Sequence, residues 1–178
     1  MTPTNAIGNK ESLFKELFTY RESVFLVCLG YTKCYSDAEE LTQDIYVKTW
    51  EKLDRINKEI SIKGWLLTIT RNRCIDHFRR ENVKRFFLES EKHGIESSIG
   101  NDTPEINIQL KEDKANLREC INSLSERLRS VFVLREYGGN SCEEISDILN
   151  IQLGTVYSRL NRAKNKVTKL MGDINGQS

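Results

Sequence analysis

The sequence predicts an all-α protein of two small helical domains joined by a flexible acidic linker, and three observations predict it. The chain of 178 residues holds only two prolines, Pro3 and Pro104, among many Leu, Glu, Lys and Arg, a composition of helix formers. Apolar residues recur at helical spacing over most of its length, with no strand alternation. Between them, residues 89–112 lose that period and carry six acidic residues against two basic ones, Lys92 and Lys111.

The elements follow in order. Residues 1–9 show no recurring apolar face and read as a disordered start. From Lys10 to about Gly30, Leu13, Leu17, Phe18, Tyr20, Val24, Phe25, Val27 and Cys28 form a helix so apolar towards its end that it belongs in a core. Ser36 or Asp37 caps a second helix through Leu53, with Ala38, Leu41, Ile45, Trp50 and Leu53 inward and an acidic outer face. Residues 55–63 read as a loop. Gly64 and Trp65 then open a third helix to about Glu81, with Trp65, Leu66, Ile69, Ile75 and Phe78 inward. These make a three-helix domain over 10–88. The linker spans 89–112, and its last residues, after Thr103 and Pro104, begin the next helix. The second domain, 113–171, holds a helix around 115–124, a helix over 126–137 capped by Ser125, and a final helix pair after Gly138, Gly139 and Asn140.

That final pair is the most informative stretch. Ser141 and Glu144 have the spacing of a capping box, in which each side chain satisfies a free backbone N–H at the helix start. Ile145, Ile148 and Leu149 give the first helix its apolar face. Asn150 stands where the chain must leave it with positive φ, which Asn tolerates better than any residue but Gly. A second helix then buries Leu153, Val156, Leu160, Ala163, Val167 and Leu170. From Leu153 to Leu170 it carries five basic residues, Arg159, Arg162, Lys164, Lys166 and Lys169, and no acidic one. Two helices, a short turn and an acid-free second helix make a helix-turn-helix suited to the major groove. A plain amphipathic pair with a solvated basic face is the bland alternative.

Charge is separated along the chain although the net charge is +1. Residues 63–85 hold seven basic against two acidic residues, and 37–54 hold six acidic against two basic. Faces this separated imply two kinds of partner. Five cysteines without a C-x-x-C spacing point to reduced thiols rather than disulfides. No clustered ligands suggest a metal and no motif suggests a cofactor. Neither a secretory segment nor a long apolar run is present, so a cytoplasmic protein without membrane insertion is expected. Two histidines, His77 and His93, lie in no recognisable catalytic motif, and no Gly-rich phosphate loop occurs, so no enzymatic activity is expected.

Four stretches in one order carry a resemblance. DAEELTQDIYVKTWEKLD, SIKGWLLTITRNRCIDHFRR, LRECINSLSERLRSVFVLRE and SCEEISDILNIQLGTVYSRLNRAKNKV resemble regions 2.2, 2.3 with 2.4, 4.1 and 4.2 of RNA polymerase sigma factors of the extracytoplasmic-function (ECF) type, group IV of the sigma-70 family. The resemblance implies a non-enzymatic subunit that binds core RNA polymerase and promoter DNA. It places Glu40, Gln43, Asp44 and Tyr46 against the polymerase clamp. It places Asn57, Lys58 and Ser61 in the loop that receives a flipped minus 10 base, and Arg71, Asn72, Arg73, Arg79 and Arg80 along the melted strand. On the recognition helix it assigns the minus 35 element to Thr155, Tyr157, Ser158, Arg159, Asn161, Arg162, Lys164 and Lys166. Asn161 would pair with adenine and Arg162 with guanine, while Arg159, Lys164 and Lys166 would touch phosphates.

Three positions depart from the family's usual residues: Thr68 stands for Arg, Tyr157 for a basic residue and Asn150 for the turn Gly. The family also implies a linker running through the polymerase's RNA path and an anti-sigma factor between the domains. Two rivals remain open on the residues alone: a dimeric helix-turn-helix regulator, and an interaction protein that does not bind DNA.

Overall fold

The computed structural model describes residues 3–32, 34–56, 61–91 and 108–175. Its helices are α1 (Pro3–Phe18), α2 (Arg21–Tyr31), α3 (Tyr35–Lys52), α4 (Ile62–Glu91), α5 (Ile108–Asn122), α6 (Glu126–Glu136), α7 (Cys142–Leu149) and α8 (Leu153–Asn175), with a single 3₁₀ turn at Leu53–Arg55. No strand occurs among the described residues. Helices α1 to α4 form the first unit and α5 to α8 the second, so the all-α reading holds. The acidic stretch expected to be flexible falls mostly on 92–107, outside the described residues.

The first unit has four helices rather than three. The expected helix from Lys10 to Gly30 is broken at Thr19 and Tyr20, and α1 reaches back to Pro3, through residues read as a disordered start. The break is made locally: the Thr19 hydroxyl donates to Glu16 O at 2.6 Å, and Tyr20 N donates to Leu17 O at 3.1 Å. Such bonds satisfy carbonyls that a helix end leaves bare. Helix α3 begins earlier than expected, because Cys34 rather than Ser36 or Asp37 is the N-cap, its sulfur accepting from Asp37 N at 3.4 Å. Helix α4 opens at Ile62 and runs ten residues past Glu81 to Glu91, since neither Gly nor Pro interrupts it after Gly64.

The second unit matches its expected order, with differences in detail. Ser125 is the residue before α6, but its side chain makes no capping bond. At the other side of the turn, Arg129 donates to Ile121 O, Asn122 O and Leu124 O at 3.1, 2.6 and 2.6 Å, closing the end of α5. All residues from Arg129 to Leu134 are buried, so α6 is covered all round rather than on one stripe. Its second cover is the first unit. A Cβ at Gly30 of α2 would lie 2.7 Å from Val133 Cγ1, and one at Gly138 would lie 2.9 Å from Val27 Cγ2. The two units therefore share one contiguous core, from Leu17 through Val27, Leu66 and Val131 to Val167.

Candidate polymerase and nucleic-acid interfaces

The helix-turn-helix is built as its residues dictate. Ser141 Oγ accepts from Glu144 N at 3.1 Å, and Glu144 Oε2 accepts from Ser141 N at 2.8 Å. Asn150 leaves α7 with φ of 49° in the left-handed region, and the Ser146 hydroxyl holds the turn by donating to Ile151 O at 2.6 Å. Val156, Leu160, Ala163 and Val167 are buried while Leu153 and Leu170 are half-buried. Burial of that stripe turns Tyr157, Ser158, Asn161 and Arg162 outward, all exposed along one side of α8. Thr155 and Arg159 lie half-buried at its margin. The two lysines expected on phosphates are held from the flanks: Lys164 pairs with Glu136 at 2.9 Å and Lys166 donates to Ser123 O at 3.1 Å. The Tyr157 phenol titrates above its ordinary range chiefly because the Glu143 carboxylate is near, so it is a neutral donor at physiological pH.

On α3, Glu40, Gln43 and Asp44 are exposed. Tyr46 is not beside them. It is buried under Phe14 and Phe18, and its hydroxyl donates to Leu17 O at 3.0 Å, capping the end of α1. Desolvation raises its pKa, as expected for a phenol kept neutral in a core. Trp50, expected inward, is instead 37% exposed, with Val47 and Phe18 more open still at 58% and 50%. Apolar surface thus edges the acidic strip, and Lys10 lies 4.9 Å from the Trp50 ring centre. The outward placement of Val47 and Trp50 was hidden in the sequence by their hydrophobicity.

The expected minus 10 residues do not all meet in one patch. Asn57 and Lys58 lie outside the described residues. Ser61 is exposed at the start of α4, where its Oγ accepts from Gly64 N at 3.3 Å. Arg73, Asp76, Arg79 and Arg80 line one shallow open depression, with Asn72 exposed on the same helix. Arg71 is turned away towards the second unit, half-buried, with its Nε donating to Ser130 Oγ at 3.3 Å. Arg73 pairs with Asp44 of α3 at 3.0 Å, which links the candidate polymerase face to the candidate DNA helix. Trp65 packs against the core. Thr68, where the family often has Arg, donates to Gly64 O at 2.8 Å and to Ile148 O at 3.3 Å, the second across the domain boundary.

Residues 18–83 match the family description Sigma-70 region 2, and residues 114–167 match Sigma-70, region 4. The chain belongs to the sigma-70 family of RNA polymerase sigma factors, in its extracytoplasmic-function group. It is 30% identical over 161 residues to the RNA polymerase sigma factor YlaC of Bacillus subtilis, covering 90% of this chain and 91% of that one. It is 25% identical over 174 residues to the ECF RNA polymerase sigma factor SigW of the same organism, covering 94% and 92%. Among solved structures it is similar to the sigma factor RpoE from Bartonella quintana, crystallised with the anti-sigma factor NepR, with a TM-score of 0.64 and 27% identity over 88% of this chain and 94% of that one. The first unit is accordingly called region 2 and the second region 4. The family matches set aside both rival readings, the dimeric regulator and the interaction protein.

Proposed function

We propose that this sigma factor docks on core RNA polymerase through Glu40, Gln43 and Asp44 of α3, with Tyr46 supporting that helix from beneath. Helix α4, with the loop before it, captures the minus 10 strand: Arg71, Arg73, Arg79 and Arg80 neutralise phosphates, Asn72 meets the melted base pair, and Asn57, Lys58 and Ser61 receive the flipped base. Helix α8 reads the minus 35 element as duplex through Thr155, Tyr157, Ser158, Asn161 and Arg162, with Arg159, Lys164 and Lys166 on phosphates. The domains are region 2 over 10–88 and region 4 over 113–171, with the acidic stretch 89–112 lying in the RNA path. The protein works in the cytoplasm, catalyses nothing itself and is held by an anti-sigma factor until a signal releases it, as RpoE is found with NepR.

The observation that carries this reading is the exposed side of α8, where Tyr157, Ser158, Asn161 and Arg162 stand on one face over a buried apolar stripe. A capping box at the start of α7 and a left-handed Asn150 at its end set the turn that leads into α8 before any DNA arrives. The test is run-off transcription with purified core polymerase on a pool of promoter fragments. Specific initiation that depends on this chain is expected; the absence of both polymerase binding and initiation on every template would refute the reading.

A further inference from the structure

Helix α4 outruns the core. Among the described residues, the last of its apolar side chains packed there is Phe78, yet the helix continues to Glu91. Over that overhang Val83, Phe86 and Phe87 stand 55%, 70% and 62% exposed, and the two rings meet edge to face with centroids 6.0 Å apart. A phenylalanine has no polar tip to turn towards water, so two neighbouring open rings mark a surface kept for a ligand.

Their register shows which ligand. Arg73, Arg80 and Phe87 recur every seven residues, close to two turns, and Arg79, Val83 and Phe86 follow at i, i+4 and i+7, so both rows run down one side of α4. The rings thus continue the shallow depression that Arg73, Asp76, Arg79 and Arg80 line, about 10 Å further along the axis. Guanidinium groups followed by open rings suit a single strand: the cations take phosphates and the ring faces take unstacked bases, whatever their sequence. A duplex has no unstacked base to offer, and a protein partner would have to bring its own acids. A melted strand supplies both anions and rings.

Both phenylalanines lie outside the stretches that match the family, 18–83 and 114–167. We infer that Phe86 and Phe87 form a second, sequence-tolerant subsite for the melted promoter strand, stacking on bases next along from those whose phosphates the α4 arginines hold. The subsite keeps the strand open without reading it, unlike the loop before α4, which receives one flipped base. This inference rests on the assignment of α4 to minus 10 DNA.

The test uses reconstituted holoenzyme and labelled promoter fragments held open by mismatches, in two versions that differ in sequence outside the minus 10 element. Phe86→Ala with Phe87→Ala removes the rings, Phe86→Leu with Phe87→Leu keeps apolar bulk without a ring, and Phe86→Trp with Phe87→Trp keeps a stacking face. By fluorescence anisotropy the Ala and Leu pairs should bind both open fragments about tenfold more weakly, while the Trp pair binds like wild type. Affinity for core polymerase should not change. Leu variants that bind the open fragments like wild type would overturn the stacking. A fall in polymerase affinity, or loss of self-association, would give the face to a protein and overturn it as well. Arg73→Ala with Arg79→Ala separates the two readings. If that pair loses the open fragments while the Ala and Leu pairs keep them, only the subsite falls; if none of these variants loses them, the α4 assignment falls too.

Discussion

Helices α4 and α8 are both basic, yet they hold their charge differently. On α8 the reading residues Tyr157, Ser158, Asn161 and Arg162 face outward, and the flanking Lys164 and Lys166 are engaged within region 4. On α4 the arginines are answered from elsewhere in the chain: Arg73 by Asp44 of α3, and Arg71 and Arg79 by Glu126 of α6. The difference fits the two forms of DNA. Duplex is present before the protein arrives, so a rigid, preformed surface suits it; a single strand exists only after opening, so a surface for it can stay neutralised until then.

Substitutions that break this contrast should differ in size. The largest effect is expected from Ile145→Ala, a fully buried residue of α7, which should lower stability by about 2–5 kcal/mol in urea unfolding and release α8 from its fixed pose. Next is Arg162→Ala. It should cost about 1–3 kcal/mol in minus 35 duplex binding and relax preference at one base pair, whereas Lys166→Ala should weaken all sequences alike and lower the salt slope by about one. Ser141→Ala should cost about 1 kcal/mol through the lost cap. Ser125→Ala should stay within about 0.5 kcal/mol, because Ser125 caps nothing with its side chain.

The smallest effect is on pH dependence. Burial raises the Glu144 carboxyl, but the Lys63 hydrogen bond and the Ser141 N–H outweigh it and hold the group below the usual carboxylate range. A depressed folded pKa stabilises the protein above the ordinary carboxylate range, and that stability is lost as pH falls through it. Glu144→Gln should therefore melt earlier than wild type at neutral pH, with the gap closing in acid.

Local chemistry was legible in the sequence and distant partners were not. The Ser141–Glu144 box and the left-handed Asn150 depend on residues a few positions apart, and both stand as the spacing predicts. The break at Thr19 has no Gly or Pro to announce it; a Thr hydroxyl and the Tyr46 phenol close α1, the latter from a helix further along the chain. Helical period places Trp50 inward and the family resemblance places Tyr46 on the polymerase face, yet the structure buries Tyr46 and half-exposes Trp50. The pairing of Arg79 with Glu126 spans 47 residues. Charge counting shows that both signs exist but not which groups meet, and the unbroken burial of Arg129 to Leu134 in α6 follows from a neighbour in the other domain.

The division of labour between α4 and α8 is tested most directly by permanganate footprinting of promoter opening by the reconstituted holoenzyme. At saturating protein, Arg162→Ala should still open the start-site region once bound. Asn72→Ala combined with Arg73→Ala should occupy the promoter but leave its thymines unreactive. Normal opening by the double variant, or loss of opening by Arg162→Ala at full occupancy, would contradict the account.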